Sequence, residues 1–156
     1  MRSDPLNDGQ VVKQEYASEG GLKARASIYN GADGDDANDL LVDLVLERQP
    51  RALLEVGCGP GQLAQRLAEQ PAIDVKALDI SARMVQLARE RGVDAWTGDV
   101  QLLPFADASF DAVIAAWMLY HVPDLPQGVA EIHRVLRPGG TLFAGTNGEQ
   151  HLQDVC

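Results

Sequence analysis

Between Leu53 and Gly61 the chain reads LLEVGCGPG, an apolar run interrupted by Glu55 that opens onto glycines at 57, 59 and 61. Directly behind it, Leu63 and Leu67 stand four residues apart, the spacing of one helical face. A strand that turns through three glycines into a helix leaves few folds open. Glycine lets the chain turn tightly and lets a ligand lie against the backbone, where a Cβ would block it. The helix start behind the turn presents unpaired N–H groups to whatever sits there.

The remaining pattern extends the same unit. Ala52–Val56 is predicted as the first strand, Gln62–Glu69 as a helix, and Asp74–Asp79 as a second strand. Ser81 is placed to cap a helix that runs to Arg91 and stops at Gly92. Val93–Trp96 and the strongly apolar Phe110–Ala116 read as strands three and four. An amphipathic helix follows over Leu125–Leu136, Arg137-Pro138-Gly139-Gly140 ends it, and Thr141–Thr146 is the fifth strand. Strands alternating with helices imply βαβ units and a parallel sheet covered on both faces. The expected class is therefore α/β, a Rossmann-like doubly wound sheet. Upstream, Met1 to Gly21 reads as a loose polar arm, and Leu22–Tyr29 carries helical spacing. Asp36 or Asn38 is placed to cap a helix with Leu40, Leu41, Leu44 and Val45 on one face. Residues 1–50 are thus expected to form an arm and cap helices, and residues 51–156 the sheet domain.

At 156 residues the chain is one ordinary domain. Its 13 Lys and Arg against 23 Asp and Glu give a net charge of −10, with no basic run. Phosphate binding depends on clustered Lys and Arg, so nucleic acid and anionic membrane are not expected partners. Cys58 and Cys156 form no disulfide framework or metal-ligand pair, and no metal site is expected. No apolar stretch approaches the length of a membrane span, and the start lacks a basic segment followed by an apolar one. The expectation is a soluble, cytoplasmic protein.

Chemistry separates two ligand classes that this architecture serves. A dinucleotide fingerprint needs glycine at the sixth position of G-x-G-x-x-G, and here that position is Gln62. Glu55 sits two residues before the first glycine; a carboxylate there disfavours a pyrophosphate and suits a cation. A ligand with an ammonium and a sulfonium, as in S-adenosylmethionine, meets that requirement. Asp79 closes the second strand, where an acidic residue accepts hydrogen bonds from ribose hydroxyls. Asp99, just past the third strand, is placed to accept from an adenine amino group. The Val100 amide is placed to meet a ring nitrogen, and the Ile80 and Val100 side chains to flank the ring.

In order, EVGCGPG, LDIS, GDVQLLPF, FDAVIAAWMLYHV and EIHRVLRPGGTLF resemble the motifs of the class I S-adenosylmethionine-dependent methyltransferases, over roughly Arg51 to Thr146. The likeness is greatest to the subgroup that methylates small metabolites and quinone precursors. The resemblance implies that the methionine end of the cofactor lies against Glu55, Gly57 and the backbone near Ala116. It places Asp79 on the ribose and Asp99 on the adenine, with Gly59 and Gly61 shaping the turn. LKARASIY resembles the helix that closes over the cofactor in such enzymes, which implies contact from Arg25 or Tyr29.

Two departures bear on function. The family's sheet continues after strand five with a helix and an antiparallel strand pair, which implies a C-terminally truncated chain. An uncapped edge is expected to favour association, such as a homodimer. In addition, AAWMLYHV follows strand four where many methyltransferases of DNA bases or glutamine carry Asp/Asn-Pro-Pro-aromatic. The expected acceptor is therefore a small molecule, and S-adenosylhomocysteine the by-product. His121, past strand four, is the candidate general base, with a packing role as its alternative. Trp117, Met118 and Tyr120 either line an acceptor pocket or belong to the core. Cys58 is read as a small tolerated side chain without a base to activate it. The competing functions are a non-catalytic cofactor-binding domain and an NAD(P)-dependent oxidoreductase domain.

Overall fold

The computed structural model describes residues 34–146. The segments expected as a polar arm (residues 1–21) and as a helix (residues 22–29, with Arg25 and Tyr29) lie outside the described residues, as does Cys156. The elements are α1 (Gly34–Arg48), β1 (Ala52–Val56), α2 (Gln62–Ala68), β2 (Asp74–Asp79), α3 (Ala82–Glu90), β3 (Asp94–Thr97), β4 (Phe110–Ala116), α4 (Leu125–Val135) and β5 (Leu136–Gly145). A short 3-10 turn, Leu119–His121, follows β4. The strands form one sheet in the order β3-β2-β1-β4-β5, and every pairing is parallel. The order reverses at β1, so the tips of β1 and β4 diverge into different loops, which is where ligands bind in open α/β sheets.

Period-two alternation explains how one sheet buries two faces. Leu53, Val75, Ala77, Ala112 and Ile114 point to the side covered by α1, α2 and α3. Leu54, Val56, Leu78, Val113 and Ala115 point to the side covered by α4 and by the loop between β3 and β4. Leu53, Leu54, Leu78 and Ile114 are essentially inaccessible to solvent.

Two sequence expectations about boundaries are corrected. Helix α1 begins at Gly34, so neither Asp36 nor Asn38 stands at its cap. Only Leu41 and Val45 of its four leucines and valines on the expected stripe are buried; Leu40 and Leu44 are exposed. The buried face is shifted, not simply reduced: Val42 and Leu46 also pack against the core beside Leu41 and Val45. Strand β5 begins at Leu136, not Thr141: Leu136 pairs with Phe110 and Thr141 with Ala112, and the four residues between them bulge out. Gly140 is confined there, since a Cβ would lie 2.9 Å from the Arg137 carbonyl and 3.0 Å from that of Asp111.

Asp111 ties the strand starts together opposite the ligand end of the sheet. Its Oδ2 accepts the Arg51 and Ala52 amides, both at 3.0 Å, and its Oδ1 accepts Arg137 Nη1 at 3.0 Å. The Ala52 amide above all, then the Arg137 and Arg51 donors, hold its carboxyl below the ordinary carboxylate range. A carboxyl lowered by folding stabilises above its unfolded pKa, and that contribution fades as pH falls through the folded value. Asp111→Asn is therefore expected to flatten the acid limb of a stability-versus-pH curve and leave neutral stability less affected.

Gly61 fixes how α2 leaves the turn. It caps the helix in the left-handed region, at φ 85°, and a Cβ would stand 2.7 Å from Ala88 Cβ on α3. Gly61→Ala is expected to cost about 3 kcal/mol by urea unfolding, from backbone strain and the clash with α3.

Candidate cofactor site

Register brings the acidic residues of β1 and β2 together. Val56 pairs with Leu78, so Glu55 and Asp79 stand on the same face of adjacent strand tips. Both carboxyls are buried, at 3% and 6% exposure. Asp79 is held from both sides: the Gly59 amide donates to its Oδ2 at 2.8 Å and the Ser81 amide to its Oδ1 at 2.9 Å. Each oxygen accepts one backbone bond and keeps a second acceptor site. Ser81 also caps α3, with its hydroxyl accepting the Met84 amide at 3.3 Å, so helix start and carboxylate are positioned together. Burial raises the Asp79 pKa against the opposing pull of the Ser81 and Gly59 amides.

Glu55 is the anomalous group. Its pKa is pushed up to about 8, first by burial and then by the charge of Asp79, with the Ala64 amide as the opposing influence. Its Oε2 is buried and has no hydrogen-bond partner among the described residues. A buried carboxylate oxygen without a donor is costly unless a ligand supplies one. The same environment raises the Cys58 thiol, through burial and then the charges of Glu55 and Asp79, so it stays a thiol and is no nucleophile.

The glycine turn lies over this pair. Among the described residues, apart from its two chain neighbours, nothing lies within 4 Å of where a Gly59 Cβ would stand. Gly57, at φ 69°, is crossed by Met118, whose Cγ would lie 2.8 Å from a Cβ. Met118 thus walls the turn from the β4 side. Beside it, Trp117 adopts φ 52°, left-handed backbone that costs a bulky residue about 1–3 kcal/mol. Its amide donates to the Gly145 carbonyl at 2.8 Å, and its indole lies against Gly145, where a Cβ would be 3.2 Å from the ring. Ala116, half-buried at the end of β4, precedes this strained residue.

The other sequence candidates are placed as follows. Ile80, half-buried, lies between Asp79 and Ser81. Asp99 Oδ1 accepts the Gln101 amide at 2.9 Å, and both its oxygens accept Gln101 Nε2 at 3.1 Å. The Val100 side chain is buried among Leu103, Val122 and neighbours, so it packs inward instead of presenting a broad flank. His121 ends the 3-10 turn past β4, half-buried, with its ring tilted against Tyr120 at 4.4 Å between centroids. The sequence reading missed the Trp117 strain and the Gln101 bonds to Asp99. It also missed a Glu131–Arg134 pair on α4 that grips the β3–β4 loop. The E-x-x-R spacing of that pair was the one local signal for it.

Among the described residues no cluster of His, Cys, Asp and Glu has the arrangement of a metal site, and no helix is long and apolar enough to cross a membrane.

The comparisons agree with this geometry. A family model described as a methyltransferase domain matches residues 54–144. A demethylmenaquinone methyltransferase of Deinococcus radiodurans is 38% identical over 151 residues, covering 89% of this chain and 61% of the relative. A malonyl-[acyl-carrier protein] O-methyltransferase of Pseudescherichia vulneris is 36% identical over 148 residues, covering 90% of this chain and 59% of its own. The crystal structure of a SAM-dependent methyltransferase from Thermotoga maritima superposes with a TM-score of 0.65 at 27% identity, covering 80% of this chain and 56% of that one. The chain spans between about two fifths and three fifths of the length of the curated relatives it matches. With its sheet order, its glycine turn and a matching family model over more than half its length, the chain belongs to the class I methyltransferase domain family.

Proposed function

We propose that this chain binds S-adenosylmethionine across the tips of β1 and β2 and serves methyl transfer to a small-molecule acceptor. The observation that carries the reading is the orphaned Glu55 Oε2, buried beside an open glycine turn. An ammonium fits it: a cationic donor satisfies the oxygen and offsets the charge that burial penalises. A pyrophosphate does the opposite.

In this reading Glu55 holds the amino group, with Gly57 and the Ala116 backbone alongside the methionine arm. Asp79 directs its two remaining acceptor sites at the ribose hydroxyls. Asp99 accepts from the adenine amino group, which shares the carboxylate with Gln101, and the Val100 amide faces the ring. When bound, the cofactor supplies an already activated methyl electrophile, so the chain's work is placement. Trp117 and Met118 bound the space on the β4 side where an acceptor would approach. His121 takes a proton from the acceptor if the nucleophile carries one, and the acidic surface disfavours nucleic acid as acceptor.

The test is transfer of a labelled methyl from S-adenosylmethionine to a panel of quinols, phenols and acyl carboxylates. The reading expects label in a low-mass product with one S-adenosylhomocysteine released per methyl. Stoichiometric cofactor binding with no labelled product from any acceptor class counts against transfer by a chain of this extent. It leaves the binding assignment to be judged by titration.

A further inference from the structure

The loop from Gly98 to Ser109 carries Asp99 and Val100 and forms no helix or strand; beside its own Asp99–Leu102 bridge, it is held by side chains of α4. Leu103 donates its amide to Glu131 Oε2 at 2.8 Å. Arg134 Nη2 donates to the Leu103 carbonyl at 3.0 Å, and Nη1 donates to the Phe105 carbonyl and to Asp107 Oδ1, both at 2.8 Å. The same guanidinium forks onto Glu131, with Nε to Oε1 at 2.8 Å and Nη2 to Oε2 at 3.0 Å. Two side chains one turn apart on α4 thus meet three backbone groups and one side chain of the loop. A planar fork with five donors is what such a set of acceptors needs, and an ammonium cannot reproduce it.

The grip reaches the ligand end through packing. Leu103, Val100 and Val122 belong to one buried cluster with Ile132 of α4. Gly128 packs closely on this cluster: a Cβ there would lie 3.2 Å from Val122 Cγ1, and 3.5 Å, ordinary contact distance, from Val100 Cγ1. Farther up the loop, Gln127 Nε2 donates to the Gln101 carbonyl at 3.1 Å, and Gln101 Oε1 accepts the Asp124 amide at 3.0 Å. Helix α4 therefore sets the loop's height against the sheet without itself entering the site.

We infer that Glu131 and Arg134 are positioning residues for nucleoside binding, acting through the β3–β4 loop that presents Asp99 and Val100. The inference rests on the proposed cofactor site and adds a determinant of affinity that lies outside it. Preorganisation is the mechanism: a loop already held in its bound shape loses less freedom when the nucleoside arrives.

The experiment titrates calorimetrically the wild-type chain, Arg134→Gln and Arg134→Lys with two probes. The probes are S-adenosylhomocysteine and 5′-methylthioadenosine, which keeps the adenosine and lacks the amino-acid arm. Each variant's fold is checked by circular dichroism without ligand. The expected result is that both variants bind both probes about tenfold more weakly, by the same factor. Loss of global stability alone moves an unfolding midpoint but leaves the affinity of the folded chain unchanged. Loss of S-adenosylhomocysteine binding alone would place the effect at the amino-acid arm and overturn the inference. So would folded Arg134→Gln with wild-type affinity for both probes, or Arg134→Lys with wild-type affinity, since charge alone would then suffice. If Arg134→Gln does not fold, Glu131→Gln decides. It keeps an acceptor for the Leu103 amide and is expected to weaken both probes about threefold; unchanged affinity overturns the inference. A wild-type chain that binds neither probe overturns the site itself, which separates that failure from failure of the clamp.

Discussion

Glu55→Gln is expected to weaken S-adenosylhomocysteine binding at least about thirtyfold while making the ligand-free chain more stable at alkaline pH. Both effects come from one cause. Glu55 is fully buried with an unpartnered oxygen, and its pKa is pushed up to about 8 by burial and by Asp79. A carboxyl whose folded pKa exceeds its unfolded value contributes stability below the unfolded value and loses it as pH rises through the folded one. From pH 4.5 to about 8 that loss is on the order of 4 kcal/mol. Glutamine carries no charge to desolvate, so urea midpoints of variant and wild type should lie close at pH 5. At pH 8.5 the unfolding free energies should differ by about 4 kcal/mol in the variant's favour, since a pH-independent cost of the amide would already show at pH 5. Binding runs the opposite way. A cationic ligand favours ionised Glu55, so wild-type affinity should rise with pH up to about 8, and binding below that pH should release a proton. Titrations in buffers of different ionisation enthalpy read that release directly. Equal affinity for variant and wild type would remove Glu55 from the site.

Asp79→Ala is expected to reduce affinity for the same ligand about a hundredfold, through the loss of two charge-assisted hydrogen bonds. The Gly59 and Ser81 amides lose their acceptor as well, so the glycine turn loosens where the ligand would lie. Asp79→Asn separates these contributions. Its amide keeps one acceptor oxygen for one of the two backbone donors, but it has lost the charge and half the acceptor capacity. It should therefore fall between wild type and alanine. Removing Asp79 also removes a charge that raises Glu55, so the Glu55 titration should move down in the alanine variant. Calorimetry for affinity and a pH series of unfolding midpoints check the two parts independently.

The sequence was informative wherever structure is local. An apolar run ending at Gly57 marks β1, and the unbroken apolar run of Phe110–Ala116 marks β4, because strand burial and turn chemistry act over a few residues. Ser81 could be recognised as a cap because a cap is defined by its own side chain and the amide three residues on. Glu55 and Asp79 were visible as acidic residues at two strand ends, although their meeting on one face depends on the parallel register of β1 and β2. What was not visible depends on partners distant in the chain. The start of β5 at Leu136 is set by pairing with Phe110, and the intervening Arg-Pro-Gly-Gly reads locally as a terminator. The exposure of Leu40 and Leu44 follows from the core taking the face of Leu41, Val42, Val45 and Leu46, a choice that a helix apolar on both sides leaves open in the sequence. The left-handed backbone of Trp117 is held by the Gly145 carbonyl, 28 residues away. Arg134 reaches backbone carbonyls at 103 and 105, whose residue types carry no trace of that role.

The central claim is that the strand tips of β1 and β2 select a nucleoside carrying an ammonium over one carrying a pyrophosphate. Parallel calorimetric titrations of the wild-type chain with S-adenosylhomocysteine and with NADPH, at pH 7.5, test it most directly. The account predicts saturable one-to-one binding of the first and no measurable heat of binding from the second. Binding of NADPH in its place, or of neither nucleotide, would contradict it.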